Sequence, residues 1–434
     1  MAKASLSKSE LTDGKRALDI DLCSQKGSFC WSMSTLKNEP DALHLIKTYL
    51  EKARAESGYS DFGSLDFQEP LEVLVKAVLN EASLEPGGRE LFDESMVHLL
   101  KNRLRLQNIW NSKPDIDQIP LPKPLYILSL PRCGSTMMFN LMSQDSRARS
   151  FQLWELMSPA PEHIAAREAI SQERIEYAER SVVRGALAGI FKFHHMGIFS
   201  PEECNRLLTS TFKTFQFSSW FEIPSYWRWL AAQDRTDAYL YYKKCLQTLL
   251  WQRPCPSNGH LLLKSPTESM INILYLLKIM PNASFVYITR RHSEVLASTC
   301  AMSRVQRLVR KHGHNQGETS FDSEKLGQSV LTGFGGTLVQ FQKNLQQMDA
   351  AARSRVLHIE YSDLVDNPIK VVRSVYERLD YQFSDSFESN MKSWLAQNQR
   401  HKFGKPRYSL EEFGLSEETV RQWENNIASM IATN

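Results

Sequence analysis

The 434-residue chain is sparing in cysteine, and its seven, Cys23, Cys30, Cys133, Cys204, Cys245, Cys255 and Cys300, are scattered with no Cys-x-x-Cys pair. That pattern argues against a disulfide framework and against a zinc site, and it fits reduced thiols. Long apolar runs are missing too. The best window, Met270 to Met280, is short and contains Asn272 and Lys278, so no segment reaches the roughly 18 apolar residues of a membrane helix. The opening residues, MAKASLSKSELTDGKR, lack the apolar core of a secretory signal or anchor, and a cytoplasmic location is the expectation. Nor is there an excess of one charge. Lys plus Arg number 52 against 49 Asp plus Glu, a net of +3, which excludes a surface given over to nucleic acid and requires any anion site to be local. Repeats and low-complexity tracts are absent. What remains is 42% hydrophobic and 23% charged, the balance of a globular protein long enough for one large α/β domain with additions.

Helical spacing of apolar residues from about Asp41 to Trp110 predicts a helical amino-terminal region, and the proline-rich stretch Asn111 to Pro124 reads as an exposed connector. Beyond it come a short apolar run, Leu125 to Leu130, a turn, and helical spacing from Met137 to Met142. A second such unit starts at Leu261, continues in a helix from Thr267 to about Met280 and reaches a strand at Ser284 to Ile288. A further strand, Arg355 to Glu360, precedes a helix from about Pro368 to Leu379. Strands separated by helices predict a parallel sheet. Between the first two units lies a helical insertion, Phe151 to Trp251, with 18 of the chain's 44 aromatic residues, an enrichment that suits an acceptor pocket or plain helix packing. The polar segment His312 to Glu324 is the candidate lid.

Two places carry anion-binding chemistry. In Leu130-Pro131-Arg132-Cys133-Gly134-Ser135-Thr136, directly after a strand and opening a helix, backbone N–H groups are free to bind an anion, Gly134 allows close approach, and the hydroxyls add donors. The GxxxxGK[ST] spacing of a Walker motif is absent. The second place is a strand ending on Arg290, with Ser298 two helical turns along the next helix; together they can grip a second phosphate.

The pair resembles the 5′-phosphosulfate loop and 3′-phosphate motif of sulfotransferases that use 3′-phosphoadenosine 5′-phosphosulfate (PAPS). The likeness extends to the soluble, mainly bacterial branch, which reads LPRxGTT, WELxxPxP, PEEC, WLxxQD, LKSPxH, YxDL and RYSLxDFGL. The counterparts are Leu130 to Thr136, Trp154-Glu155-Leu156 with Pro159 and Pro161, Pro201 to Cys204, Trp229 to Asp234, Leu263 to Pro266, Tyr361 to Leu364, and Arg407 to Leu415. The resemblance implies a P-loop-type parallel sheet flanked by helices over residues 121–434, with a helical acceptor-binding insertion at about 151–258 and a helical amino-terminal extension over 1–120. It implies PAPS as sulfuryl donor, adenosine 3′,5′-bisphosphate as product, a small organic acceptor, and neither nucleic acid nor membrane as partner.

It also implies roles. Arg132, Cys133, Gly134, Ser135, Thr136 and Met137 would hold the 5′-phosphosulfate, Arg290 and Ser298 the 3′-phosphate, and the basic segment containing Lys402, Lys405 and Arg407 would close over it. Lys264, at a strand end, would stabilise charge on the departing bridging oxygen. A transferred sulfuryl group carries less negative charge than a phosphoryl group, so no metal is expected. Where relatives carry a histidine in LKSPxH this chain has Glu268, so the general base is either Glu268 or His194, the latter on the position of the histidine that precedes PEEC. Arg291-His292 stands where relatives have Asp-Pro, placing extra charge beside the 3′-phosphate site or meeting a different neighbour. The stripe Arg304, Arg307, Arg310, Lys311 reads as solvated or cofactor-facing, and Phe193, Trp220, Tyr226 and Trp227 as acceptor contacts. Two other readings stay open: a catalytically impaired PAPS-binding protein, prompted by Glu268, and a P-loop phosphotransferase, which requires ATP and magnesium.

Overall fold

The structure, a computed structural model, describes residues 39–166, 170–194, 196–313, 321–399, 404 and 407–432. Five strands, β1 (Leu125–Ser129), β2 (Ala148–Arg149), β3 (His260–Lys264), β4 (Ser284–Thr289) and β5 (Val356–Glu360), form a parallel sheet in the order β2-β3-β1-β4-β5. Every residue of β1 and β3 is buried, as expected for apolar runs with helices on both faces. Ile127 pairs with Lys264 on one side and Val286 on the other. Parallel strands end on the same edge, so the turn after β1, Lys264 closing β3, Arg290 after β4 and Tyr361 after β5 are all delivered to one crevice. The expected α/β sheet is therefore present. Only the two-residue β2 has no signal in the sequence.

The helix expected from Thr267 to Met280 is two helices, Pro266–Ile271 and Ile273–Ile279. The break falls at Asn272, whose amide turns back to donate to the Glu268 carbonyl (2.8 Å) and Glu268 Oε1 (3.1 Å). Residues 39–112 hold three helices, Glu39–Ser57, Gln68–Glu81 and Pro86–Ser112. Most of their apolar side chains share a core with the insertion, where Leu71, Phe92 and Leu100 meet Phe212, Phe217, Phe221 and Tyr226, while Leu106, Ile109 and Trp110 at the end of the third helix join the core of the sheet. The connector makes one 3-10 turn, Pro114–Gln118, with Ile116 as its buried anchor. Two long helices, His292–His312 and Ser323–Gln347, complete the wall facing the insertion. Most of the candidate lid, 314–320, lies outside the described residues, as do His195, Lys402 and Lys405. Among the described residues no helix is long and apolar enough to cross a membrane.

Candidate active site

After β1 the chain turns through Arg132 (φ 68°) and Gly134 (φ 95°) into the helix Ser135–Met142. Glycine is required at 134 twice over: the backbone is left-handed, and a Cβ there would stand 2.7 Å from Tyr361 Cδ2. The turn presents successive N–H groups at a helix amino terminus, the arrangement that receives a phosphate or sulfate. Ser135 is buried at the helix start, Thr136 faces the crevice and Met137 packs against the sheet core. Cys133 is buried, and burial pushes its thiol up to about 12, overriding the lowering a helix amino terminus would give. Its side chain is an inert part of the core.

Arg132 Nε donates to Ser298 Oγ at 3.1 Å, and Arg290 Nη1 donates to the Arg132 carbonyl at 3.0 Å. The three residues expected to divide two phosphates between them thus form one linked group. Arg290 is oriented by Glu294 and lies over the Tyr361 ring at 4.3 Å. Burial holds the Arg132 guanidinium below its usual range; Tyr408 opposes this and Arg290 adds to it. Arg291 and His292 turn instead to the carboxyl-terminal helix Glu417–Ala432, meeting Glu417 at 3.3 Å and Glu424 at 2.7 Å. The Arg-His departure therefore matches a different neighbour rather than enriching the phosphate site. Arg407 is exposed, and the adjacent Tyr408 stacks on Phe193 with centroids 6.3 Å apart.

Lys264 is buried at the end of β3, with Nζ 3.1 Å from Thr136 Oγ1 and 3.0 Å from Glu203 Oε1. The segment Pro201 to Cys204, expected only as a motif, proves to be the organiser of the site. Glu203 holds Lys264, Glu202 Oε2 is 2.9 Å from His194 Nε2, and the Cys204 thiol donates to the Lys264 carbonyl at 3.3 Å. Glu202 is buried, yet its carboxyl lies far below the usual range because His194 and, further off, Arg206 and Lys264 outweigh the burial. Two adjacent glutamates in a short motif are the signal that sequence reasoning passed over. Successive side chains of an extended segment point to opposite sides, so one pair can serve two partners.

Glu268 is buried with both oxygens engaged. Oε1 accepts from Arg235 Nη1 (3.2 Å) and Asn272 Nδ2 (3.1 Å), and Oε2 from Thr214 Oγ1 (2.8 Å) and the Phe215 N–H (2.9 Å). Burial raises its pKa against the pull of Arg235 and these donors. A carboxylate so occupied ties the insertion to the helix that follows Lys264, and it also lines the cavity described next.

Beside the phosphate loop opens a cavity of about 380 Å³, with Arg132, Ser135 and Thr136 at one end and His194, Glu202 and Glu203 along its wall. Trp220 and Trp227 line it as expected. Tyr226 does not: it is fully buried in the second core, its hydroxyl donating to the carbonyls of Phe212 (2.7 Å) and Thr214 (3.0 Å). Among the described residues no cluster of three His, Cys, Asp or Glu side chains is placed to hold a metal ion.

Comparison with known proteins agrees with this geometry. The sulfotransferase STF9 from Mycobacterium avium superposes with a TM-score of 0.73 at 23% identity, over 89% of this chain and 96% of that one. STF1 from Mycobacterium tuberculosis H37Rv superposes with a TM-score of 0.70 at 22% identity, over 87% and 97%. In sequence, the omega-hydroxy-beta-dihydromenaquinone-9 sulfotransferase Stf3 of Mycobacterium bovis is 24% identical over 304 residues, 68% of this chain and 72% of its own. The family model described as "Sulfotransferase family" matches residues 124–385, from just before β1 to the start of the helix Asp385–Gln397, and so spans more than half of the chain. With an anion-binding turn, a buried lysine at the neighbouring strand end and a cavity between them, the chain belongs to the sulfotransferase family and is an enzyme of sulfuryl transfer.

Proposed function

We propose that the enzyme moves the sulfuryl group of PAPS directly to a hydroxyl or amine of a small organic acceptor, leaving adenosine 3′,5′-bisphosphate. The observation that carries this reading is the segment Pro201 to Cys204, which holds Lys264 beside the phosphate loop and His194 on the wall of the adjoining cavity. Residues 132–137 would receive the 5′-phosphosulfate, and Arg290 with Ser298 the 3′-phosphate. With Nε2–H donated to Glu202, His194 keeps Nδ1 as proton acceptor. The acceptor's oxygen or nitrogen bonds to sulfur, the bond from sulfur to the bridging oxygen breaks, the acceptor's proton passes to His194, and Lys264 donates to the leaving oxygen. Glu268 is a positioning residue in this scheme, so the histidine missing from LKSPxH gives no reason to infer an impaired binding protein. Hydroxyl acceptors are favoured by the name of the Mycobacterium bovis relative, a sulfotransferase of a hydroxylated menaquinone. The unpaired thiols of Cys133, Cys204, Cys245, Cys255 and Cys300 support a cytoplasmic enzyme.

The test is incubation with labelled PAPS and an acceptor library in the presence of EDTA, with mass detection of product. Sulfated product is expected, and Lys264→Ala is expected to lower transfer by about 10²–10³ while adenosine 3′,5′-bisphosphate still binds. Magnesium-dependent phosphorylation from ATP, or PAPS binding without turnover of any acceptor, would overturn the proposal.

A further inference from the structure

Part of the cavity wall is built of arginines. Arg184 comes from the helix Gln172–Leu187, Arg206 from the 3-10 turn Cys204–Thr211, and Arg307 and Arg310 from the helix His292–His312. The basic stripe of that last helix is thus divided: Arg304 turns to Glu412 at 3.7 Å, while Arg307 and Arg310 turn into the cavity.

These guanidiniums are short of acceptors. The Arg310 guanidinium lies over the Trp220 ring at 4.2 Å and donates no hydrogen bond within the described residues. Among the described residues Arg206 Nη2 has only Met196 Sδ, at 3.8 Å, and Nε of Arg184, Arg206 and Arg307 is buried without an acceptor. Of the carboxylates nearby among the described residues, two are shared with other cations: Glu94, 3.6 Å from Arg184, also meets Arg180, and Glu222, 3.7 Å from Arg307, also meets Lys325. A third, Glu202, is held by His194. Burial and the like charges of Arg184 and Arg206 pull the Arg310 pKa down to about 10, against the influence of Tyr177. Guanidiniums gathered out of water cost free energy unless an anion joins them.

The nucleotide does not supply that anion. At about 1.5 Å per residue, Arg310 stands about 18 Å along its helix from Ser298, beyond reach of a phosphate held there. Arg184, Arg206 and Arg310 instead bound a recess of about 60 Å³ with Arg180, Ser181, Thr209 and Trp220, where Glu94 is the one carboxylate among the described lining residues; it shares Arg184, Arg206, Trp220 and Arg310 with the larger cavity.

We propose that the acceptor is itself an anion, with a carboxylate or phosphate group that docks on Arg184, Arg206 and Arg310 while its nucleophile reaches His194. Planar guanidiniums match the paired oxygens of either group, and the Trp220 ring under Arg310 helps to hold it in place. The inference rests on the cavity being the acceptor site, as set out above.

The test uses full-length enzyme saturated with adenosine 3′,5′-bisphosphate, so that the nucleotide's own phosphate sites are filled, and titrates benzoate, phenyl phosphate and phenol by calorimetry. At least one anion is expected to bind tenfold or more tightly than phenol. Arg310→Met and Arg206→Gln are each expected to reduce that preference at least tenfold, and the second variant keeps the test open if the first does not fold. Whichever of benzoate and phenyl phosphate gains more identifies the group. Equal affinity for phenol and both anions, or a preference indifferent to both substitutions, would sink the anionic acceptor and leave sulfuryl transfer standing. Failure of the bisphosphate to bind in the first step would overturn the functional reading itself.

Discussion

Replacing Glu268 separates a base from a scaffold. Its carboxylate accepts four hydrogen bonds, from Arg235, Asn272, Thr214 and the Phe215 N–H, in a site where both Glu268 and Arg235 are almost fully buried. Removing one partner of a buried ion pair leaves the other charge uncompensated, at a cost of about 3–5 kcal/mol, which is the expected loss for Glu268→Ala. Glu268→Gln keeps one acceptor oxygen but turns an amide NH₂ toward donors and strips Arg235 of its counter-charge, so about 2–4 kcal/mol is expected. In calorimetric unfolding this should appear as a midpoint lowered by several degrees. Transfer per folded molecule, measured with saturating PAPS, should fall less than tenfold in the Gln variant. His194→Asn should do the opposite, with a midpoint near that of the parent and a kcat reduced by about 10²–10⁴. A Glu268→Gln enzyme that melts like the parent but loses transfer a hundredfold or more would refute the scaffold argument and return the proton to Glu268.

Gly134→Ala should weaken adenosine 3′,5′-bisphosphate at least tenfold by calorimetry, because φ of 95° and a Cβ 2.7 Å from Tyr361 both oppose it; unchanged affinity would show that the loop conformation is not needed for binding. Two buried histidines make the fold acid-sensitive: burial draws His98 down to about 3 and His260 to about 4, against a free value of about 6.5. Between those values and 6.5 the unfolded chain takes up protons that the folded chain refuses. Their contribution is therefore complete above about pH 6.5 and shrinks as pH falls, by up to about 1.4 kcal/mol per pH unit for each histidine. Urea midpoints measured at pH 7.5 and 5 should drop accordingly, and equal midpoints would contradict the neutral burial of both rings. Glu203→Gln should lower kcat and also lower the unfolding midpoint, since it leaves the buried Lys264 ammonium without its counter-charge; an unchanged midpoint and kcat would show that the pair holds nothing in place.

What could be read along the chain was whatever chemistry is local. The turn from Leu130 to Thr136 declares itself because strand, glycine and hydroxyls are consecutive, and Lys264 and Arg290 do so because a parallel strand brings its last residue to the site edge whatever surrounds it. The linked group of Arg132, Arg290 and Ser298 follows from that same geometry. Residues whose meaning depends on distant partners were mute. Glu268 looked like a substitute base because Arg235 and Thr214, 33 and 54 residues away, are not adjacent to it in sequence. The stripe from Arg304 to Lys311 gave a helix face but not its neighbours, and only packing against the insertion turned Arg307 and Arg310 inward. Aromatic residues divided likewise, Trp220 and Trp227 to the cavity and Tyr226 to the core, since composition counts rings without saying which side of a helix is covered. The sequence by itself determined the alternation of strand and helix, the glycine turn after the first strand and the class of reaction. Tertiary structure alone decided which partner each buried carboxylate holds and which side chains line the cavity, because each of these is a property of neighbours that the chain brings together only on folding.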